Sequence, residues 1–261
     1  MSEVIEVQLE AQIAKVFFNR PEAFNSFNLD VIEAFWKKLL GLAVDDAIRG
    51  IVISGRGKSF CAGGDLKWAL GFSQGPSAAF HTLAARFHQA VLEIRRMNKP
   101  VVAAINGIAA GGGFSIALAC DFRVMEKSAI MRQAYTSNGL CIDGGGTFML
   151  PRIVGIAKAL EIAAFDDPIS AEQALVLGLV TKVVEDGRSL EEAVKMAQRI
   201  AHGSLNSFGW SKQLLLDSFN TSFETHIEKE RLGLSTCAAH PEGQEGLLAF
   251  KEKRKPVFHA K

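Results

Sequence analysis

Pro100 to Cys120 reads PVVAAINGIAAGGGFSIALAC, a stretch without one charged residue. It is long enough to cross a bilayer as a helix. Gly107 and the run Gly111-Gly112-Gly113 argue against that, because glycine breaks a spanning helix and Asn-Gly marks a turn. The reading that fits is a buried strand over Val101 to Ile105, a glycine-rich turn, and a buried helix from Gly112 or Gly113 to Cys120.

The same rhythm runs outward from this stretch. Upstream, GIVIS at Gly50 to Ser54 reads as another fully buried strand, and Ala78 to Met97 carries apolar residues at helical spacing. Val4 to Leu9 and Ile13 to Asn19 alternate apolar with polar residues, which predicts a hairpin. Leu29 to Val44 predicts a helix with Asn28 as its N-cap. Downstream come a helix around Ala171 to Leu177, a strand over Val180 to Val184, and helix almost throughout from Leu190. Alternating strands and helices predict an α/β fold built on a mostly parallel sheet. A soft boundary falls at the Asp186-Gly187 turn, giving a core over 1–187 and a helical region over 188–261.

Composition is that of a folded globular protein of 261 residues, 48% hydrophobic and 22% charged. Lys plus Arg (29) nearly cancels Asp plus Glu (28), so no global field exists to hold a nucleic acid or an anionic membrane. Cys61, Cys120, Cys141 and Cys237 form no CxxC pair, so no metal site is expected and the thiols read as reduced. The opening MSEVIEVQLEAQIAK lacks the basic start and apolar run of a secretory signal; the expectation is a cytoplasmic protein.

Two glycine-rich loops follow apolar strands. One is Ser59-Phe60-Cys61-Ala62-Gly63-Gly64-Asp65-Leu66; the other is Asn106-Gly107-Ile108-Ala109-Ala110-Gly111-Gly112-Gly113-Phe114-Ser115. Neither has the spacing of a P-loop or of a dinucleotide-binding turn. Glycine lets backbone N–H groups reach a ligand that a side chain would block. Two such loops side by side would aim two N–H donors at one carbonyl oxygen. Each glycine taken singly is better explained as a tight strand-to-helix turn.

Together with Asn19-Arg20-Pro21-Glu22-Ala23-Phe24-Asn25, these loops resemble the crotonase superfamily of enoyl-CoA hydratases and isomerases. The resemblance continues through Pro151-Arg152-Ile153-Val154-Gly155, Ser170-Ala171-Glu172-Gln173-Ala174, Gly178-Leu179-Val180 and the terminal helix from Glu242 to Pro256. It implies a spiral of strand-strand-helix turns followed by a helical trimerisation region, with a homotrimer or dimer of trimers as the assembly. It implies an acyl-coenzyme A thioester as substrate, with no separate cofactor. The oxyanion donors would be the amides of Gly64 and Gly112. Ala23, Ala62, Gly63, Asp65 and Leu66 would contact coenzyme or substrate, and Phe250 and Lys253 would approach the coenzyme of a neighbouring subunit. In the bare sequence Lys253 reads equally well as one solvated charge of the run from Lys251 to Lys255.

Family hydratases place two glutamates where this chain has Ser115 and Tyr135, and neither residue supplies a carboxylate. A carboxylate stands nearby at Asp143, in Gly139-Leu140-Cys141-Ile142-Asp143-Gly144-Gly145-Gly146. Its place resembles the single aspartate of ring-enoyl and 3-enoyl-CoA isomerases and of 4-chlorobenzoyl-CoA dehalogenase. One carboxylate suits a proton shuttle between two carbons of an enoyl thioester; the alternative is an aspartate that caps the next helix. In the dehalogenase reading Asp143 is a nucleophile and His88 assists hydrolysis, but Tyr135 and Gly64 replace that enzyme's ring-holding tryptophan and bulky loop aromatic. His88 also reads as an ordinary half-buried histidine on an amphipathic helix, and Tyr135 as a pocket wall or a proton donor. The expectation is an enoyl-CoA isomerase. The alternatives are a hydratase, a dehalogenase-like hydrolase, and a non-catalytic acyl-CoA-binding protein.

Overall fold

A computed structural model describes residues 3–258. Met1 and Ser2, which open the segment expected to form the first strand, lie outside the described residues. The hairpin is present as β1 (Ile5–Glu10) and β2 (Ile13–Phe18), paired antiparallel. α1 (Leu29–Val44) starts where expected, its Asn28 side chain accepting the Val31 N–H at 3.1 Å. There follow β3 (Gly50–Gly55), β4 (Ser59–Cys61), α2 (Leu66–Leu70), α3 (Gly75–Arg96), β5 (Val101–Ile105), β6 (Ile108–Ala110) and α4 (Gly112–Ala119). The stretch from Pro100 to Cys120 is thus strand, turn, a second short strand that the sequence did not predict, and helix. Among the described residues no helix is long and apolar enough to cross a membrane.

The second half adds β7 (Phe122–Glu126), β8 (Ile130–Arg132), α5 (Gly146–Val154), α6 (Ile156–Phe165), β9 (Ile169–Ser170), α7 (Ala171–Val176) and β10 (Lys182–Val184). Helices α8 (Ser189–Ala201), α9 (Leu205–Asp217), α10 (Phe223–Ala239) and α11 (Pro241–Lys251) complete it. The main sheet runs β1-β2-β3-β5-β7-β10 and is parallel from β2 onward. A second sheet of short strands runs β4-β6-β8-β9. Each of β3, β5 and β7 is followed by a short strand of the second sheet and then by helix, which is the strand-strand-helix spiral of an α/β crotonase fold.

Period-two alternation puts opposite faces of each strand into two cores. Ile51, Ile53, Val101, Ala103 and Ile105 face Phe35 and Leu39 of α1 and Leu83 and Phe87 of α3. Val52, Val102, Ala104 and Val124 face the other way, toward Ala193, Val194, Ala197 and Ala201 of α8. Each fully buried Val, Leu, Ile or Phe contributes about 1.5–3 kcal/mol, so both faces of β3 and β5 have to be covered. α9 is tied to this body by Lys212, whose buried ammonium donates to Ile94 O at 2.9 Å and to the Asp121 carboxylate at 3.0 Å. Further out, Leu232, Leu234, Leu247 and Phe250 stand exposed on α10 and α11.

Strand β7 was not expected from the sequence, because Arg123 and Glu126 suggest a wet segment. Both charges are buried and satisfied. Arg123 donates to the carbonyls of Leu179, Ala117 and Cys120 at 2.6, 3.2 and 2.6 Å. Glu126 accepts from the Ser189 hydroxyl at 2.6 Å, which joins β7 to the first turn of α8.

Candidate active site

The two glycine loops meet. Gly63 adopts φ +94°, and a Cβ there would lie 2.8 Å from the Gly112 nitrogen and 2.9 Å from Ala110 O. Only a residue without a side chain, and free to take a left-handed backbone, lets the loops touch this closely. Gly112 is the first residue of α4, so its N–H lies in the first turn, where no intrahelical partner exists. The Gly64 bridge to Phe27 uses the Phe27 N–H, Gly63 O, the Asp65 N–H and Phe27 O, and leaves the Gly64 N–H aside. Among the described residues neither the Gly64 nor the Gly112 amide is spent on a backbone hydrogen bond.

The first loop is held from outside by Asn25 and Arg20. Asn25 is buried, takes φ 58°, accepts the Arg20 N–H at 2.9 Å, and donates to Arg56 O at 2.9 Å and Ser59 O at 2.7 Å. Arg20 reaches the Asp65 carboxylate at 3.3 Å and Ser26 O at 3.0 Å. Asp65 also caps α2 by accepting the Trp68 N–H at 3.1 Å. Its carboxylate therefore serves the loop. Asn106 completes the support by donating to Gly55 O at 2.9 Å and Gly57 O at 3.0 Å.

A cavity of about 130 Å³ opens at the junction, lined by Ala62, Gly64, Leu66, Gly111, Gly112, Tyr135 and Asp143, with Phe27, Phe80, Leu83, Phe87 and Leu140 forming its apolar wall. Helical spacing on α3 brings Phe80, Leu83, Ala84 and Phe87 to this wall. The segment from Gly71 to Ala78 runs into the first turn of α3 and is not among the lining residues. Pocket size is set by the next turns of that helix.

Asp143 is not a helix cap. The N-cap of α5 is Gly145, and no side chain caps that helix. The carboxylate lies instead 2.5 Å from His88 Nε2, with side chains 34% and 49% exposed respectively, so the pair straddles the cavity mouth. The Ser115 hydroxyl donates to the backbone carbonyl of Asp143 at 2.6 Å and stands 3.4 Å from the Tyr135 hydroxyl. Burial above all pushes the Tyr135 phenol well above its ordinary range, with the Ser115 hydrogen bond opposing. At neutral pH it keeps its proton and is a donor, not a base.

Of the other expected contact residues, Ala62, Gly63 and Leu66 lie at the loop junction. Ala23 ends a 3-10 turn, and the next residue, Phe24, gives its carbonyl to the Ala62 N–H at 3.0 Å. The single chain does not bring Phe250 or Lys253 to the cavity; Phe250 is 85% exposed at the end of α11, and Lys253 follows that helix with φ 56°. Sequence reading missed Arg20 and Phe27. Phe27 packs under Gly112 and against the Phe87 ring at 5.0 Å between centroids, and its only sequence signal was a place just after the NRPEAFN motif. Among the described residues no group of three or more His, Cys, Asp or Glu side chains is gathered to hold a metal ion.

A family model described as Enoyl-CoA hydratase/isomerase matches residues 8–261. The chain belongs to the enoyl-CoA hydratase/isomerase family. It is 32% identical to the 1,2-epoxyphenylacetyl-CoA isomerase of Escherichia coli over 262 residues, covering 100% of each chain. It is 34% identical to the crotonyl-CoA hydratase of Syntrophomonas wolfei, covering 99% of each. The crystal structure of an enoyl-CoA hydratase from Polaromonas superposes with a TM-score of 0.92 at 33% identity, over 97% of this chain and 98% of that one. Family relatives thus carry both isomerase and hydratase names, and the choice between these chemistries for this chain turns on its own residues.

Proposed function

We propose that this member of the family is an acyl-CoA-processing enzyme that shifts the double bond of an enoyl-CoA. In this reading the thioester oxygen sits between the amides of Gly64 and Gly112. Asp143 takes a proton from one carbon, the electron pair spreads into a dienolate whose charge the two amides carry, and Asp143 returns the proton two carbons away. One oxyanion donor of this kind contributes about 2.7–4 kcal/mol to the transition state. The reading is carried by one observation: the Asp143 carboxylate lines the same cavity as Gly64 and Gly112 and is not consumed by capping α5. Positions 115 and 135, where a hydratase keeps its glutamates, hold an alcohol and a phenol that bond to each other and to the Asp143 loop.

The His88 contact favours one second reading, dehalogenase-like hydrolysis, in which Asp143 attacks an aromatic ring and His88 activates water. A panel of 2-enoyl-, 3-enoyl-, alicyclic and 4-chlorobenzoyl-CoA thioesters, followed by absorbance and mass spectrometry, separates the chemistries. Isomerisation leaves the mass unchanged, hydration adds water, and dehalogenation releases chloride. Asp143→Asn is expected to bind acyl-CoA normally and to lose about 10²–10⁴-fold in turnover, the range for a positioned acid-base group. Turnover at the wild-type level would remove this mechanism.

A further inference from the structure

We infer that His88 connects the Asp143 carboxylate to bulk water, so that the proton moved during isomerisation exchanges with solvent between its removal and its return. The inference rests on the isomerase reading above and adds to it where the proton goes. The geometry behind it is the division of labour within the pair. Asp143 lines the cavity, whereas His88 is not among the lining residues, stands half exposed on the surface of α3, and touches Asp143 at 2.5 Å. The other polar side chains at Asp143 lead inward. The Ser115 hydroxyl is committed to the Asp143 backbone carbonyl at 2.6 Å, and the Tyr135 hydroxyl behind it keeps its proton. Once a seated acyl group covers the cavity, a carboxylate that leaned on those groups alone would hand back the proton it took. A carboxylate joined to a half-exposed imidazole has an outlet.

The steps balance without any co-reactant. The substrate C–H bond breaks, an O–H bond forms on Asp143, and the electron pair enters the dienolate. Asp143 passes that proton to the Nε2 lone pair of the His88 tautomer that carries its hydrogen on Nδ1, giving a carboxylate and an imidazolium. The imidazolium releases that same proton from Nε2 to water and takes another from water at Nε2. Nε2 returns the new proton to Asp143, which delivers it to the receiving carbon as the dienolate collapses. His88 touches neither the substrate nor the oxyanion, so it is a positioning and relay residue, and Asp143 remains the base.

The test is isomerisation in deuterated buffer, with deuterium at the receiving carbon of the product counted by mass spectrometry at low conversion. The wild type is expected to install solvent deuterium in most turnovers. His88→Gln keeps an N–H that can donate to the carboxylate but cannot ferry a proton; deuterium per turnover is expected to fall by about tenfold or more, the low end of the effect of a proton-transfer group and less. His88→Ala is expected to regain deuterium uptake when imidazole is added, because the site of the ring is open to solvent. Isomerisation with no deuterium uptake by the wild type, or uptake per turnover unchanged in His88→Gln, overturns the relay and leaves the isomerase reading standing. No isomerisation of any enoyl-CoA by the wild type overturns the isomerase reading itself.

Discussion

At Gly64 and Gly112 the two glycine loops stand under opposite constraints. In the second, glycine is demanded by the protein's own packing: a Cβ on Gly113 would sit 2.0 Å from Cys61 O, and one on Gly112 would sit 2.3 Å from the Phe27 ring. In the first, Gly64 has no such excuse. A Cβ there meets nothing nearer than Leu83 and Phe80 side-chain tips at 3.7 and 3.8 Å, which is ordinary contact. The second loop is therefore a fixed part of the scaffold. Gly64 is an adjustable position whose bareness leaves room for whatever fills the cavity.

The strongest way to break this contrast is Gly113→Ala. Its methyl would strike a backbone carbonyl that cannot step aside, so the variant is expected to lose about 3 kcal/mol or more of stability, at or beyond the upper end of overpacking penalties. A wild-type denaturation midpoint would show that the second loop yields after all. Asn25→Ala probes the outer support of the first loop. It strips partners from the Arg20 amide and from the Arg56 and Ser59 carbonyls, at a cost of about 1–3 kcal/mol measured by the same titration.

Gly64→Ala is the converse experiment. Stability should stay within about 0.5 kcal/mol of the parent, while kcat/KM for a bulky acyl group falls by about tenfold relative to a small one, as an added methyl in an apolar pocket implies. Equal losses for both acyl groups would mean that the methyl disturbs the amide and not the pocket. The gentlest probe is chemical labelling. Cys61 lies buried in the first loop, and burial pushes its thiol up to about 12. At pH 8 only about 10⁻⁴ of it is thiolate, so a thiol reagent should modify exposed Cys141 and leave Cys61 intact. Early modification of Cys61 would report a loop that opens on its own.

Much of the architecture could be read from the chain because its central strands, GIVIS and VVAAI, are apolar on both faces and are bounded by turn residues. The strands of the second sheet could not. β4, β6 and β8 are three residues long and β9 two, too short for any periodicity to register. β7 was hidden by two charges whose partners lie far away in sequence. At the site, the glycine loops stood out for the backbone access they allow, and the choice of Gly64, Gly112 and Asp143 came from the resemblance of their positions to the family's motifs. Arg20, Asn25 and Phe27 act through contacts with residues some thirty to eighty-five positions further on, and local spacing is blind to those.

The bond from the Ser115 hydroxyl to the Asp143 carbonyl fastens the aspartate's loop to the first turn of α4, the turn that begins with the Gly112 amide. In the proposed mechanism one rigid helical turn therefore acts as a ruler between the place where negative charge would collect and the place where the proton would be lifted. The alcohol at position 115 sets that length. Displacing that turn would shift anion holder and base in step, keeping their spacing while misplacing both against the first loop.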